Sequence, residues 1–203
     1  MTLDSEIYHL RELMPASGRM FAKIVSNSQQ SKILDVPFPV PWKAESREIR
    51  INFDLWSQLT RTERDLLFLR SLSWLLGIRW FKPDWQRGVA LAGTAGAVVE
   101  LLQGDAIGVL VAGGLSAIAL RQIWQETRSS RAEIKADEAA IKVSLRRGYN
   151  EIEAAKALLE GIESVARIEG RSTLNFVELI RTQNLKAIAK LSPVAVPESV
   201  KNS

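Results

Sequence analysis

The apolar residues of this chain recur mainly at the spacing of one helix face. Ile7, Leu10 and Leu13 repeat every three residues, a pattern typical of a short amphipathic helix. Thr60 and Glu63 have the spacing of a capping box, and apolar residues follow them at helical intervals. Similar patterns return after residue 124. We expect helices over residues 4–13, 60–77, 125–147, 150–170 and 175–191, with the third and fourth packed as a charged pair.

Signals for the helix ends accompany the later patterns. Gly148 favours a stop for the first charged helix, and Asn150 with Glu153 three residues later favours the start of the next one. The last helix should bury one apolar side, supplied by Phe176, Leu179, Ile180 and Ile188.

A strand signal lies in the first quarter of the chain. Residues 48–53 alternate polar with apolar side chains, which predicts an edge strand with one buried face. Ser17-Gly18 and residues 26–30 are polar, which indicates flexibility. Prolines in the segment 36–42 favour an extended path. The predicted fold is mainly α, an α+β arrangement with one or two short edge strands and an irregular arm.

The central segment is the most apolar part of the chain. Between residues 88 and 120 the only charged side chains are Glu100 and Asp105. Residues 85–103 and 106–124 would each form a helix of roughly 28 Å, close to a hydrocarbon core of about 30 Å. This predicts a transmembrane or membrane-inserted helical hairpin. The alternative is a hairpin buried in a soluble core, because the densest apolar runs are shorter than a typical spanning segment.

Aromatic and basic residues cluster at the open end of this hairpin. Tryptophan and arginine at one depth are typical of a membrane interface, and basic flanks favour a cytoplasmic side for the soluble parts and both termini. The predicted interface residues are Trp80, Trp85, Arg87, Arg121 and Trp124.

Composition narrows the chemistry. The 203 residues carry a net charge of only +4, without the basic face of a nucleic-acid binder. There is no cysteine, and His9 is the only histidine, so we expect no metal site and no cofactor. Residues 1–19 lack the pattern of a secretory signal, so export by that route is not expected.

The order of strand, helix, apolar hairpin and charged helices resembles the HtpX-type membrane zinc metallopeptidases. Residues 51–60 resemble the lead-in to the zinc-binding helix of that family, and residues 147–149 its later continuation. The His-Glu-x-x-His position falls on residues 70–74, which read Arg-Ser-Leu-Ser-Trp. Glu133 and Asp137 resemble the third-ligand motif, Glu-x-x-x-Asp. The resemblance implies a degenerate zincin-like helical domain interrupted by the hairpin.

The former-site positions lack the required chemistry. Hydrolysis on zinc needs two imidazoles one helical turn apart and a glutamate between them. Arg70, Ser71 and Trp74 supply none of these groups. We therefore expect no peptidase activity, and an ion pair between Arg70 and Glu133 in place of the metal.

The whole chain is also similar to an uncharacterised family of cyanobacterial proteins, in which segments like 12–19, 37–42 and 192–194 occur. That resemblance implies a cyanobacterial plasma or thylakoid membrane. The predicted division is an N-terminal helix with a proline-rich arm (1–46), a strand with the former active-site helix (47–84), a membrane hairpin (85–124), a charged helical pair with a final helix (125–192) and a loose tail (193–203).

The function that fits these features is a noncatalytic, membrane-anchored interaction, assembly or regulatory protein. Its partners would be the lipid bilayer and another membrane protein, and not a nucleic acid. The proline-rich arm would be either a docking motif or a packed surface loop. The alternatives are a soluble helical structural or regulatory module, or a non-metallo hydrolase that uses Ser71 or Ser73, although neither serine has a histidine base beside it in the sequence.

Overall fold

The computed structural model describes residues 2–38, 47–77 and 130–192. They belong to a unit made of Met1–Ile78 and Ser130–Ser203, and a second unit comprises Arg79–Ser129. Several predicted features lie outside the described residues. They are the hairpin 85–124, the tail 193–203, and the interface residues Trp80, Trp85, Arg87, Arg121 and Trp124.

The described part is mainly helical, as expected. Its helices are α1 (Leu3–Leu13), α2 (Ala16–Phe21), α3 (Phe53–Trp56), α4 (Arg61–Gly77), α5 (Ser130–Leu145), α6 (Glu151–Ile168) and α7 (Phe176–Ile188). None of these helices is both long enough and apolar enough to cross a membrane. The apolar hairpin sequence is not among them.

The strands differ from the prediction. The described residues form a three-stranded sheet in the order β1 (Ala22–Ser26), β3 (Arg47–Ile51), β2 (Leu34–Asp35). Strand β3 was predicted as an edge strand and is the central one, parallel to β1 and antiparallel to β2. The prediction was wrong because both partner strands lie in the segment that was expected to be irregular.

The expected flexibility at Ser17-Gly18 is also wrong, because both residues belong to α2. Gly18 is buried against α4, and a Cβ at this position would lie 2.8 Å from Cδ2 of Leu72. The glycine therefore permits close packing of α2 on α4.

The predicted helix starts are confirmed in atomic detail. The backbone N–H of Thr60 donates to Glu63 over 2.7 Å, and the Glu63 N–H donates to the Thr60 hydroxyl over 3.4 Å. Asn150 with Glu153 forms a complete capping box at α6. Asn175 with Glu178 forms another at α7. These local signals fix where each helix begins.

Helix α4 lies at the centre of the packing. One side contributes Phe68, Leu69 and Leu72 to a core shared with α1 and β3. Leu66 joins a second core with α6 and α7. Side chains on α4 therefore contribute to both of these cores.

Candidate functional site

Arg70 and Glu133 form the ion pair that the sequence suggested. The Arg70 guanidinium on α4 meets the Glu133 carboxylate on α5, and about a fifth of each side chain is exposed. Arg70 Nε also lies 3.6 Å from Asp137 Oδ1. That distance gives an ionic contact but is too long for a hydrogen bond. The predicted pair is confirmed, whereas its descent from a zinc site stays a prediction.

A second arginine, which sequence reasoning missed, completes the group. Arg181 on α7 donates two hydrogen bonds of 2.8 Å to the two oxygens of Asp137. Asp137 is fully buried and Arg181 is 8% exposed. We call Arg70, Glu133, Asp137 and Arg181 the arginine clamp. It joins α4, α5 and α7 by charge-assisted contacts.

The clamp contains two cations and two carboxylates. The pKa of Arg70 is lowered to about 9, chiefly by burial and then by the neighbouring Arg181, while Asp137 and Glu178 oppose the shift. The depressed pKa reflects the partial removal of this cation from water, and the neighbouring carboxylates offset part of that cost.

The position of the clamp along the chain is informative. Arg70 lies about two turns before the end of α4, and Glu133 lies in the first turn of α5. Residues 79–129 connect these two helices in the chain. The clamp therefore ties together the points where the chain leaves the described unit and returns to it.

A cavity of about 410 Å³ lies beside the clamp. Arg171 in its wall donates to Glu178 over 2.8 Å and to Glu169 over 3.1 Å. Burial alone would raise the pKa of Glu178, but hydrogen bonds from Arg171 and from the Asn175 backbone hold it below its ordinary value. The basic residues of the wall, each beside a carboxylate, are Lys32, Arg70, Arg171 and Arg181.

Ser71 and Trp74, the other former-site positions on α4, are partly or fully buried. Ser71 is buried in α4 and lines the cavity. The indole Nε1 of Trp74 is buried without a hydrogen-bond partner among the described residues. The Trp74 ring meets the edge of Phe38 with centroids 6.4 Å apart. Val36, Pro37 and Phe38 of the proline-rich arm are half-buried, and residues 39–46 lie outside the described part.

The single histidine belongs to a separate cluster. His9 Nε2 lies 2.8 Å from one oxygen of buried Asp65, and the Tyr149 hydroxyl donates to the other over 2.7 Å. Burial raises the pKa of Tyr149, and the hydrogen bond to Asp65 raises it further. Asp65, directly before the apolar run of residues 66–69, was the sequence signal for this cluster, and it was overlooked.

Metal ligands do not converge in the described ranges. Across residues 2–38, 47–77 and 130–192, no group of three or more histidine, cysteine or acidic side chains is arranged to hold a metal ion. The carboxylates of Glu133 and Asp137 face arginines instead.

Comparisons with known proteins agree with the broader resemblance. The family described as "Protein of unknown function (DUF3318)" matches residues 8–149. A thylakoid membrane protein of Synechocystis sp. is 28% identical over 159 residues, which cover 76% of this chain and 73% of that protein. No solved structure matches. The resemblance to an uncharacterised cyanobacterial family is thus confirmed, and because the match spans more than half of its length the chain belongs to the DUF3318 family.

Proposed function

We propose that this protein is a noncatalytic, membrane-anchored scaffold that holds or positions another protein of the thylakoid membrane. The observation that carries the proposal is the arginine clamp. Each of its two carboxylates is held in an ion pair with an arginine. A carboxylate committed in this way is poorly suited to take a proton from water.

The clamp also suits an anchoring role. A scaffold has to transmit force and position between its membrane segment and its body, and α4 and α5 border residues 79–129. That segment includes the apolar stretch 88–120. A buried network that ties the two helices together would keep the ends of an anchor in a fixed arrangement.

The membrane part of the proposal rests on the apolar hairpin sequence and on the Synechocystis relative, which is named as a thylakoid membrane protein. We further propose that the scaffold derives from a zinc peptidase of the HtpX type. The order of motifs around the hairpin and the exchange of ligands for an ion pair support this origin.

Partner capture tests the scaffold role. Tagged full-length protein would be crosslinked in thylakoid membranes, solubilised and purified, and its partners quantified by mass spectrometry. We expect one membrane protein at reproducible stoichiometry, reduced several-fold by Glu133→Gln. The matched control is Glu138→Gln on the exposed side of the same helix, which should leave the yield unchanged. Recovery of no partner above an untagged strain would reject the proposal.

Anchoring and the absence of catalysis need separate tests. Washing membranes with alkaline carbonate should leave the protein in the pellet, and release into the supernatant after gentle lysis would favour the soluble module instead. Stoichiometric zinc with chelator-sensitive proteolysis would overturn the noncatalytic assignment. Labelling of Ser71 or Ser73 by an active-site serine probe would favour the hydrolase alternative.

A further inference from the structure

Helix α7 exposes residues that its sequence pattern placed inside. Phe176 is 68% exposed and Leu179 is 53% exposed, so the predicted apolar side is wrong for these two residues. The buried face instead carries Ile180, Arg181 and Leu185. Because Arg181 reaches Asp137 from this face, the helix presents Phe176 and Leu179 to the outside.

The charges on the outer side of α7 have one sign. Lys186 and Lys190 are exposed, and Leu191 beyond them is 57% exposed. Between residues 171 and 192 the only acidic residue is Glu178, which is paired with Arg171. We call Phe176, Leu179, Lys186, Lys190 and Leu191 the α7 outer face. It combines apolar groups with two exposed lysines, which form no ion pair with any residue that the structure describes.

This face lies near the point where the chain returns from residues 79–129. Ile180, the neighbour of Leu179, packs against Ile134 close to the start of α5. Exposed Arg131 and Lys135 lie in the same part of α5, together with exposed Glu138. The positive charge of the α7 outer face therefore comes from its own two lysines.

We propose that the α7 outer face contacts an anionic lipid surface, with Phe176 and Leu179 entering the interface and the lysines facing the headgroups. Apolar side chains flanked by lysine are typical of helices that lie on such surfaces, and anionic headgroups attract the lysines. The inference rests on the proposed function only in that the anchor brings this unit to a membrane.

A lipid surface fits better than a protein partner. One face of a 13-residue helix is about 20 Å long and offers a few hundred Å², below the roughly 800 Å² per partner of a stable protein interface. A contact tethered by an anchor does not need that area, because tethering raises its effective concentration.

The absence of cysteine allows a direct test on the full-length chain. A nitroxide label on Leu179→Cys would be compared in vesicles of phosphatidylcholine alone and of phosphatidylcholine with phosphatidylglycerol. The measured quantity is the ratio of the label's collision rate with oxygen to its collision rate with a polar nickel chelate. We expect this ratio to rise several-fold in the anionic vesicles. A label on Glu160→Cys, exposed on α6, is the control and should stay aqueous in both.

Charge reversal of the lysines provides a second test of the lipid contact. Lys186→Glu with Lys190→Glu should abolish the rise at position 179, whereas Lys156→Glu on exposed α6 should not. A label at 179 that stays aqueous in both kinds of vesicle would overturn the inference. A label that is immobilised equally in both, without access to oxygen, would indicate a protein contact and would overturn it too.

If the proposed membrane anchor is wrong, a different result is expected. In that case alkaline washing would strip the protein from phosphatidylcholine vesicles. Salt-sensitive flotation with the anionic vesicles alone, lost on reversal of the two lysines, would then still support the α7 outer face. No flotation with either kind would reject it.

Discussion

Arg181 and Asp137 form a two-point ion pair in the interior, with both N···O distances at 2.8 Å. The two residues are 44 positions apart and join α7 to α5. Arg70 approaches the same carboxylate from α4, so Asp137 serves two arginines at once. Removal of this single carboxylate would leave the buried Arg181 and the partly buried Arg70 with reduced compensation.

We therefore expect Asp137→Asn to lower the free energy of unfolding by about 3 to 5 kcal/mol, the range for breaking a buried pair from one side. Equilibrium unfolding in urea, followed by tryptophan fluorescence, measures this loss. Exposed Glu138→Gln in the same helix should change stability by less than about 0.5 kcal/mol. A loss below about 1 kcal/mol at Asp137 would mean that the pair behaves like an exposed one.

Local signals explain what could be predicted. The capping boxes of Thr60 and Asn150 were predicted because each joins residues three positions apart. The box of Asn175 has the same spacing and was overlooked. The pair of Arg70 with Glu133 was reached through the order of motifs in a resembling family. Its prediction did not require knowledge of the fold.

Contacts between distant segments explain what could not be predicted. Strand β1 pairs with β3 across 25 residues, as in Ala22 with Arg47, and neither β1 nor β2 has a clear alternation. The face of α7 was misassigned because periodicity weighs Phe176 and Leu179 as apolar and Arg181 as polar. Because Arg181 has a buried partner, it lies on the inner face while the apolar residues lie outside. Only the fold reveals that partner.

A second buried carboxylate links α1 to the centre of the unit. Glu6 accepts hydrogen bonds of 2.9 Å from the Trp56 indole and from Arg64. We expect Glu6→Ala to cost about 3 kcal/mol, because a buried indole N–H and a buried guanidinium lose this acceptor. This loss is measured as a lower midpoint of thermal unfolding, with the exposed Glu12→Ala in the same helix as the control. Equal midpoints for the two variants would refute the assignment.

Tyr149 should titrate above its ordinary pKa of 10.0, because burial and the hydrogen bond to Asp65 both favour the neutral phenol. In a Tyr8→Phe background it is the remaining tyrosine, so absorbance of the tyrosinate band reports it alone. Asp65→Asn should lower the midpoint only in part, because burial persists. A midpoint at or below 10.0 would contradict the contact.

The raised pKa of Tyr149 also determines how the free energy of unfolding depends on pH. Above the ordinary pKa the unfolded chain loses the phenol proton while the native chain keeps it, so the stabilisation is complete below that pH and declines as pH rises through the native pKa. Tyr149→Phe should remove this alkaline decline, which urea unfolding at several pH values would detect.

Gly148 makes the turn that places its two neighbours. Its φ is +92°, and a Cβ there would meet no atom of the described part within 4 Å. Arg147 donates to the carbonyls of Leu13 and Met14, and Tyr149 donates to Asp65. Gly148→Ala should therefore cost about 1 to 2 kcal/mol through backbone strain alone.

Gly77 is the matched control for that substitution. A Cβ at Gly77 also meets nothing within 4 Å among the described residues, but its φ is not in the left-handed region and it ends α4. Gly77→Ala should be neutral or stabilise by up to about 1 kcal/mol, because alanine restricts the unfolded chain more than glycine does. Urea unfolding of both variants measures the contrast. Because open space is common to both sites, an equal response would show that the positive φ of Gly148 imposes no strain on alanine.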